Sequence, residues 1–306
     1  MAKRLATDII TFYHPRFWGL ESPAELEQWV AGHLDSFWEK VLDALVETGV
    51  TGVELTFAPG SIDNVLKGFG SAKAFKQELD RRGLSVVSSF MADAPRWTGE
   101  PDLGAIVADA ERRAAFLAEV GADILVTGLP MRKTRGERPP FFVDAGYMGR
   151  MADIAHLVGE AVSQMGVKLA LHTESNSSLW YERDIELFMG FTDPRYVWLC
   201  PDSCHITLGG GDPVRVAERH APRIILAHWK DAVGVIDTDL VIDETIHAQQ
   251  QRYMVDFGTG VVDWTGWAAA MAATPGRETV LLELDAAADP IAALKSGKAI
   301  VERVAS

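Results

Sequence analysis

The sequence is short of cysteine, of long apolar runs and of positive charge, and each shortage excludes a class of protein. The only cysteines are Cys200 and Cys204, which excludes a disulfide-stabilised secreted scaffold and is typical of a reducing, cytoplasmic compartment. Their C-x3-C spacing lacks a second pair, so we interpret them as semi-buried thiols and not as zinc ligands. No run approaches the ~18 apolar residues that cross a bilayer, so we expect no membrane span, and we also expect no signal peptide.

Positive charge is scarce relative to negative charge. Lysine and arginine number 29 against 43 acidic residues, which gives a formal net charge of −14. This balance opposes nucleic-acid binding, because such proteins gather positive charge to displace counterions from phosphate. It also opposes docking on an anionic membrane surface. The expected partner is therefore a small molecule.

Short apolar runs alternate with longer segments of helical period along the chain. Three helical segments, 35–48, 72–82 and 103–120, each end at a glycine, which is a helix stop signal. The predicted strands are 8–13, 52–56, 84–90, 122–127, 167–172, 196–200, 223–228 and 279–284. Strands that alternate with helices imply parallel pairing and right-handed crossovers. Eight such units over about 300 residues predict an α/β fold, the (β/α)8 TIM barrel.

Two loops refine this prediction. The first predicted strand runs into Phe12-Tyr13-His14-Pro15 in place of a Gly-x-Gly turn, which counts against a dinucleotide-binding fold. The longest irregular stretch, 232–260, follows the seventh strand, and such insertions are commonly active-site lids or oligomer contacts. We expect one barrel domain over residues 1–306, since no linker divides the chain.

Polar side chains follow the last four predicted strands. In chain order they are His172 and Glu174, Asp202 and His205, His228 and Lys230, and Glu283 and Asp285. Residues two apart on a strand point to the same side, and the chemistry of TIM barrels lies at the carboxyl ends of the strands. Clustered acids need a cation to offset their repulsion. Because the ligands are oxygen and nitrogen, we predict one divalent metal ion: Mn, Mg, Co or Zn.

The second half of the chain carries motifs that resemble the xylose isomerase-like TIM-barrel superfamily of sugar isomerases and epimerases. The motifs are Pro201-Asp-Ser-Cys-His205 through Gly210-Gly-Asp-Pro213, Arg223-Ile-Ile-Leu-Ala-His-Trp-Lys-Asp231, Gly258-Thr-Gly-Val-Val-Asp263 and Leu282-Glu-Leu-Asp285. The resemblance extends from about Gly166 to the C-terminus and is closest to the branch that contains 2-keto-myo-inositol dehydratase. It implies a single divalent metal held by the ends of strands five to eight.

The resemblance also implies roles for individual residues. Asp202, His228 and Glu283 fall on metal positions, and His205 falls on a position used for substrate or metal. Strand five departs from the family pattern, because His172 occupies the usual position of the ligand Glu and Glu174 follows two residues later. We take Glu174 as the fourth ligand and His172 as the base, and the reverse assignment stays open.

The candidate site residues follow from these considerations. The candidate catalytic residues are His172, Glu174, Lys230 and Glu283. The candidates for substrate binding are Glu54, His205, Lys230, Asp285, His14, Trp18 and His247. Lys230 is a candidate clamp for a substrate oxygen, with a rim ion pair to Asp231 as the alternative.

The chemistry common to these residues is removal of a proton beside a carbonyl that a metal polarises. Return of the proton isomerises or epimerises, and loss of a β-leaving group dehydrates or cleaves. We therefore predict a metal-dependent isomerase, epimerase or lyase of carbohydrate metabolism that acts on a keto sugar or cyclitol, and we expect a homo-oligomer. An alternative is the catalytic subunit of a lyase that cleaves 3-keto C-glycosides with a small partner subunit. A remote alternative, an apurinic endonuclease-like repair enzyme, is opposed by the negative charge and by the absence of histidine after strands two and three.

Overall fold

Eight parallel strands form a barrel sheet in the computed structural model, which describes residues 3–92, 94–132, 142–237, 240–243 and 245–304. The barrel strands are β1 (Arg4–Asp8), β2 (Gly52–Leu55), β3 (Ser85–Met91), β4 (Ile124–Thr127), β5 (Lys168–His172), β6 (Val197–Cys200), β7 (His228–Trp229) and β10 (Thr279–Leu282). Their order is β6-β5-β4-β3-β2-β1-β10-β7. Isolated parallel bridges, Leu199 with Ile224 and Asp202 with His228, connect β6 to the β7 segment. The predicted TIM barrel is confirmed.

Helices surround this barrel. They are α1 (Pro15–Trp18), α2 (Pro23–Gly32), α3 (Leu34–Thr48), α4 (Ile62–Phe69), α5 (Ala72–Arg82), α6 (Leu103–Val120), α7 (Ala145–Ser163), α8 (Glu182–Phe191), α9 (Ser203–Leu208), α10 (Pro213–His220), α11 (Ile246–Gln251), α12 (Trp264–Ala272) and α13 (Pro290–Val304). The glycines after α3, α5 and α6 have φ of +70°, +72° and +84°. They adopt the left-handed conformation that ends a helix, as their positions in the sequence predict. No helix in the described ranges is long and apolar enough to cross a membrane.

The first strand differs from its prediction. The apolar run after Asp8 is a 3-10 helix, Ile9–Phe12, and β1 lies before it at Arg4–Asp8. The Asp8 carboxylate accepts the backbone N–H of Ile10 at 2.6 Å, which turns the chain out of the strand. The prediction of a strand over 8–13 was therefore wrong, because local side-chain capping overrides the apolar pattern.

The barrel interior has an apolar floor beneath a polar rim. Side chains that fill the floor are Ala6, Val87, Val126, Ala170, Cys200, Leu226 and Leu281. Side chains alternate along a strand, so the residue two positions further on reaches the rim from the same side. The step from the floor to the rim is Ala170 to His172, Cys200 to Asp202, Leu226 to His228 and Leu281 to Glu283. Both cysteines are buried free thiols.

The predicted insertion after β7 is tied to the barrel. A short antiparallel pair, β8 (Asp231–Ala232) and β9 (Met254–Val255), holds its two ends together. The Asp231 carboxylate accepts the backbone N–H groups of Gly258 at 2.8 Å and Gly260 at 3.1 Å. Between the two strands, α11 lies beside the rim. The insertion thus brings side chains to the carboxyl end of the barrel.

Candidate metal centre and active site

Four buried side chains converge at the carboxyl ends of β5, β6, β7 and β10. His172, Asp202, His228 and Glu283 each offer one ligand atom, and these atoms all lie within 4.8 Å of one another. His172 Nε2 lies 3.6 Å from Asp202 Oδ2, and His228 Nδ1 contacts Glu283 Oε2 directly. Such a set can surround a single cation.

The unsatisfied atoms of this cluster test whether a cation fits. Both ring nitrogens of His172 and Asp202 Oδ2 are buried without a hydrogen-bond partner among the described residues. Leaving a buried polar group unsatisfied costs about 1–3 kcal/mol, and coordination removes that cost. Two imidazoles and two carboxylates are also a donor set that suits Mn, Co or Zn. The residues present therefore fit a divalent metal ion.

Glu54 lies behind His228 at the end of β2. Its Oε1 lies 3.0 Å from His228 Nε2, and its Oε2 accepts the Ser88 hydroxyl at 2.6 Å. The Glu54 side chain is fully buried and is not among the residues that line the cavity described below. A carboxylate on the far nitrogen of a metal-ligating imidazole fixes the orientation of the ring. The position of Glu54 fits that role and not the substrate contact expected from the sequence.

The two polar residues of strand five occupy different places. His172 belongs to the four-residue cluster, whereas Glu174 groups with His172 and His205 at its edge. Glu174 Oε2 lies 3.7 Å from His172 Nδ1 and 3.5 Å from His205 Nε2. Burial raises the pKa of Glu174 to about 7, against the opposing influence of His172 and Lys230. This geometry favours His172 as the fourth ligand and Glu174 as the base. The sequence had favoured the reverse assignment of these two residues.

Lys230 lies fully buried between the metal cluster and the eighth barrel strand. Its Nζ donates to Glu283 Oε1 at 2.9 Å and to Asp285 Oδ1 at 2.6 Å, and it lies 3.5 Å from His205 Nε2. Burial opposes the charge of Lys230, but Asp285 and Glu283 outweigh it and hold the lysine pKa well above its usual value. Burial and Glu283 raise the pKa of Asp285 to about 6, with Lys230 opposing them. The rim ion pair with Asp231 does not form, because that carboxylate binds the insertion backbone.

A cavity of about 460 Å³ opens beside the cluster. Its polar side carries His172, Glu174, His205, His228, Lys230, His247, Glu283 and Asp285. Its other side is formed by the ends of β1 to β4 and carries Ile10, Phe57, Phe90, Met91, Leu129 and Met131. That second side is mainly apolar and also carries the polar side chains of Asp8 and Thr56.

Two residues expected to contact substrate lie elsewhere. His14 Nδ1 accepts the backbone N–H of Arg16 and caps α1. Trp18 stacks on Phe37 with ring centroids 5.1 Å apart, and its Nε1 donates to the carbonyl of Phe12. Neither side chain is among those that line the cavity. Both have local packing roles, which their aromatic surroundings in the sequence do not distinguish from a pocket wall.

Several residues at the site were not predicted from the sequence. Asp8 lines the cavity, and burial together with Glu54 and Glu283 raises its pKa well above the usual value. If the first strand is placed at residues 4–8, Asp8 ends that strand and can be recognised as a candidate site residue. Gln250 of α11 donates from Nε2 to Glu174 Oε1 at 3.1 Å. No local signal marks Gln250, because its partner lies 76 residues away.

Comparison with known families decides the assignment of this barrel. A model described as xylose isomerase-like TIM barrel matches residues 42–303. This chain belongs to the xylose isomerase-like TIM barrel family. The match includes β2 to β10 and thus every residue of the four-residue cluster.

Curated relatives are about a quarter identical to this chain within the aligned residues. An inosose dehydratase of Geobacillus thermodenitrificans is 25% identical over 197 residues, which cover 59% of this chain and 65% of the relative. The rhizopine catabolism protein MocC of Rhizobium meliloti is 27% identical over 212 residues, which cover 65% of this chain and 59% of the relative. The alignments thus span less than two thirds of these relatives.

Solved structures share the fold over almost the whole chain. The IolI protein with a bound zinc atom superposes with a TM-score of 0.70 at 14% identity, covering 99% of this chain and 98% of IolI. An L-ribulose 3-epimerase superposes with a TM-score of 0.70 at 14% identity, covering 99% of this chain and 94% of the epimerase. At this identity the likeness establishes the TIM-barrel fold.

Proposed function

We propose that this protein is a divalent-metal-dependent enzyme that removes a proton beside the carbonyl of a keto cyclitol or keto sugar. The observation that carries the proposal is the cluster of His172, Asp202, His228 and Glu283, four buried residues whose ligand atoms lie within 4.8 Å of one another. The relatives named inosose dehydratase support the substrate class, since inosose is a keto cyclitol.

These four residues would hold the metal, and Glu54 would fix the ring of His228. A bound divalent cation supplies Lewis-acid polarisation of the substrate carbonyl. Lys230 pairs with Glu283 and Asp285 and thereby favours the charged form of each carboxylate inside the barrel. We expect this charge balance, and not direct clamping of a hydroxyl, to be the contribution of Lys230, because its contacts are already taken by side chains.

Glu174 is the proposed proton carrier. Its carboxylate lies at the edge of the cluster and faces the cavity, with the side chain 20% exposed. The other oxygen accepts a hydrogen bond from Gln250, so the group is held while one oxygen stays available. A general base must reach the proton that it takes, and a carboxylate between the ligands and the cavity meets that condition. His205, Asp285 and His247 are the proposed contacts for substrate hydroxyls.

Elimination of water is the reaction that we propose. The C–H bond beside the carbonyl breaks with its proton passing to Glu174, and the β-hydroxyl leaves with a proton as water. His247 lines the cavity and can donate to the departing oxygen when protonated. Dehydratases occur among the named relatives, which supports elimination over return of the proton.

A second candidate function is supported by the apolar face of the cavity. A cyclitol carries hydroxyls around its ring, whereas Phe57, Phe90, Met91, Leu129 and Met131 offer no polar side-chain partner. These side chains would suit the aglycone of a 3-keto C-glycoside. The same proton transfer would then precede cleavage of the bond to the aglycone, with a small partner subunit.

The experiment that tests both candidates is turnover in deuterated water. Inososes, keto sugars and 3-keto-glycosides are incubated with the protein and Mn²⁺ or Mg²⁺, and products are followed by NMR. We expect deuterium beside the carbonyl of the accepted substrate, and the product identifies the reaction. The matched variants are Glu283→Gln, expected to be inactive, and Glu302→Gln on the exposed face of α13, expected to be active. Absence of both deuterium exchange and product formation with every substrate class and both metals would contradict the proposal.

A further inference from the structure

The insertion carries a glutamine whose amide is completely hydrogen-bonded inside the rim. Gln250 is 1% exposed. Its Oε1 accepts from Ser175 Oγ at 2.7 Å and from Asn176 Nδ2 at 2.9 Å. Its Nε2 donates to Glu174 Oε1 at 3.1 Å and lies 3.4 Å from His247 Nδ1. An amide offers two acceptor and two donor positions, and all four are engaged, so its orientation is fixed.

Counting protons through this network determines the tautomer of a histidine. The Ser175 hydroxyl has one hydrogen, and the 2.7 Å contact with the Gln250 carbonyl oxygen requires it. Ser175 Oγ also lies 2.9 Å from His205 Nδ1. Since the hydroxyl hydrogen is already engaged, the Nδ1 of His205 must donate to Ser175.

The surroundings of Nε2 on the other side of the ring are compatible with this tautomer. His205 Nε2 lies 3.5 Å from Lys230 Nζ, which carries hydrogens and no lone pair. An Nε2 that accepts from Lys230 must carry a lone pair. The same Nε2 also lies 3.5 Å from Glu174 Oε2, in the rim beside the cluster.

We infer that Gln250 and Ser175 are positioning residues that hold His205 as its Nδ1–H tautomer and leave its Nε2 lone pair directed at the substrate side of the metal cluster. That lone pair, with Lys230 Nζ 3.5 Å away, can accept a hydrogen bond from a substrate hydroxyl in place of the lysine. The segment after β7 thus contributes to the site through hydrogen bonds, and not only by covering it. The tautomer stands on the hydrogen-bond network alone, while its effect on catalysis rests on the proposed function.

The backbone supports this network at strand five. Asn176 adopts a left-handed conformation with φ of +64°, which asparagine tolerates better than most residues. This turn directs its amide at Gln250, and the backbone carbonyl of Asn176 accepts the N–H of Arg132. The loop after β5 and α11 therefore lock each other at the cavity.

The test is the protonation state of the imidazole nitrogens of His205. The protein contains eight histidines, so [¹⁵N]histidine labelling with long-range ¹H–¹⁵N correlation resolves them, and His205→Gln assigns the signals. The sample contains Zn²⁺, which is diamagnetic. We expect His205 to show a protonated Nδ1 and an Nε2 without a proton. A protonated Nε2 in the wild type would overturn the inference.

Variants test what holds the tautomer. We expect Gln250→Met and Ser175→Ala to populate the Nε2–H form, and Gln250→Glu to keep the wild-type pattern because a carboxyl oxygen still accepts from Ser175. Gln249→Met on the same helix is the matched control and is expected to leave the His205 signals unchanged. The inference fails if Gln250→Met and Ser175→Ala both leave those signals as in the wild type.

Steady-state kinetics tests whether the positioning by Gln250 affects catalysis. Supporting residues around a metal site typically contribute about 10–100-fold, so we expect Gln250→Met to lower kcat by that factor with KM little changed. A loss confined to KM would contradict positioning. If no substrate is turned over at all, the proposed function fails, while the NMR result still decides the tautomer.

Discussion

At the scale of residues, the order of two side chains at the end of β5 separates the proposed ligand from the proposed base. His172 follows Ala170 on the side of the strand that faces the barrel interior, and it belongs to the ligand cluster. Glu174, two residues further on, lies at the edge of that cluster. A histidine stands among the proposed ligands, and a carboxylate stands where the proton is to be moved. We therefore expect mutation of His172 to affect metal binding and mutation of Glu174 to affect proton transfer.

The first prediction concerns that separation. His172→Ala is expected to weaken metal binding at least about 10-fold, because a direct ligand contributes more than the about 10–100-fold of a supporting residue. Glu174→Gln is expected to keep the metal and lose about 10²–10⁴ in kcat, the usual contribution of a general base. Metal content by mass spectrometry and steady-state kinetics measure both. Retained metal in His172→Ala together with lost metal in Glu174→Gln would restore the opposite assignment.

The second prediction concerns the two thiols. Burial raises the pKa of Cys200 to about 11 and that of Cys204 well above its usual value. Since the thiolate is the reactive form, neither cysteine should react with iodoacetamide at pH 8 in the folded protein. Mass spectrometry after labelling should find both alkylated only in urea. Rapid alkylation of either cysteine without denaturant would argue against the buried positions.

At the scale of elements, one carboxylate joins the two ends of the segment between β7 and α12. Asp231 accepts the backbone N–H groups of Gly258, Gly260 and Val262, and the Trp264 indole lies 3.3 Å from its Oδ2. Each group would be left without an acceptor if the carboxylate were lost. This anchor fixes the path of the insertion and hence the position of α11.

The third prediction follows from that anchor. Asp231→Ala is expected to lower the free energy of unfolding by about 2–4 kcal/mol, since several buried donors lose a charged acceptor. Urea denaturation followed by circular dichroism measures the loss. Asp237→Ala, in the same insertion but with an exposed side chain, is the control and should change stability little. Equal losses in the two variants would show that Asp231 is not the anchor.

At the scale of the whole molecule, the barrel concentrates negative charge at one end. Asp8, Glu54, Asp202 and Glu283 are all buried there, and Lys230 is the fully buried lysine among the described residues. A divalent cation would offset the remaining repulsion. The expected homo-oligomer stays a prediction for light scattering to test.

The fourth prediction is that metal binding stabilises the fold. EDTA treatment is expected to lower Tm, and added Mn²⁺, Co²⁺ or Zn²⁺ to raise it in proportion to the logarithm of concentration above Kd. Differential scanning calorimetry measures both. Glu283→Gln should show a much smaller response than Glu302→Gln. A Tm that no divalent ion shifts would contradict the metal centre.

The sequence by itself determined the barrel and the rim residues. Alternating strand and helix periods fix the (β/α)8 order, and a period of two carries each strand from an apolar floor residue to a polar rim residue, as in Leu281 to Glu283. These signals are local, so they can be read along the chain. The strand at 8–13 failed where a side chain, Asp8, competed with the local pattern.

Tertiary structure alone decided how the rim residues meet. Glu54 contacts His228, and Gln250 donates a hydrogen bond to Glu174. The partners in each pair are far apart in sequence, so no local pattern predicts these contacts. The proposal of His172 as the ligand, in place of Glu174, rests on its place in the four-residue cluster with side chains from other strands. The apolar face of the cavity likewise exists only when the ends of β1 to β4 come together. Distances between strands are set by closure of the barrel, and that closure is a property of the whole chain.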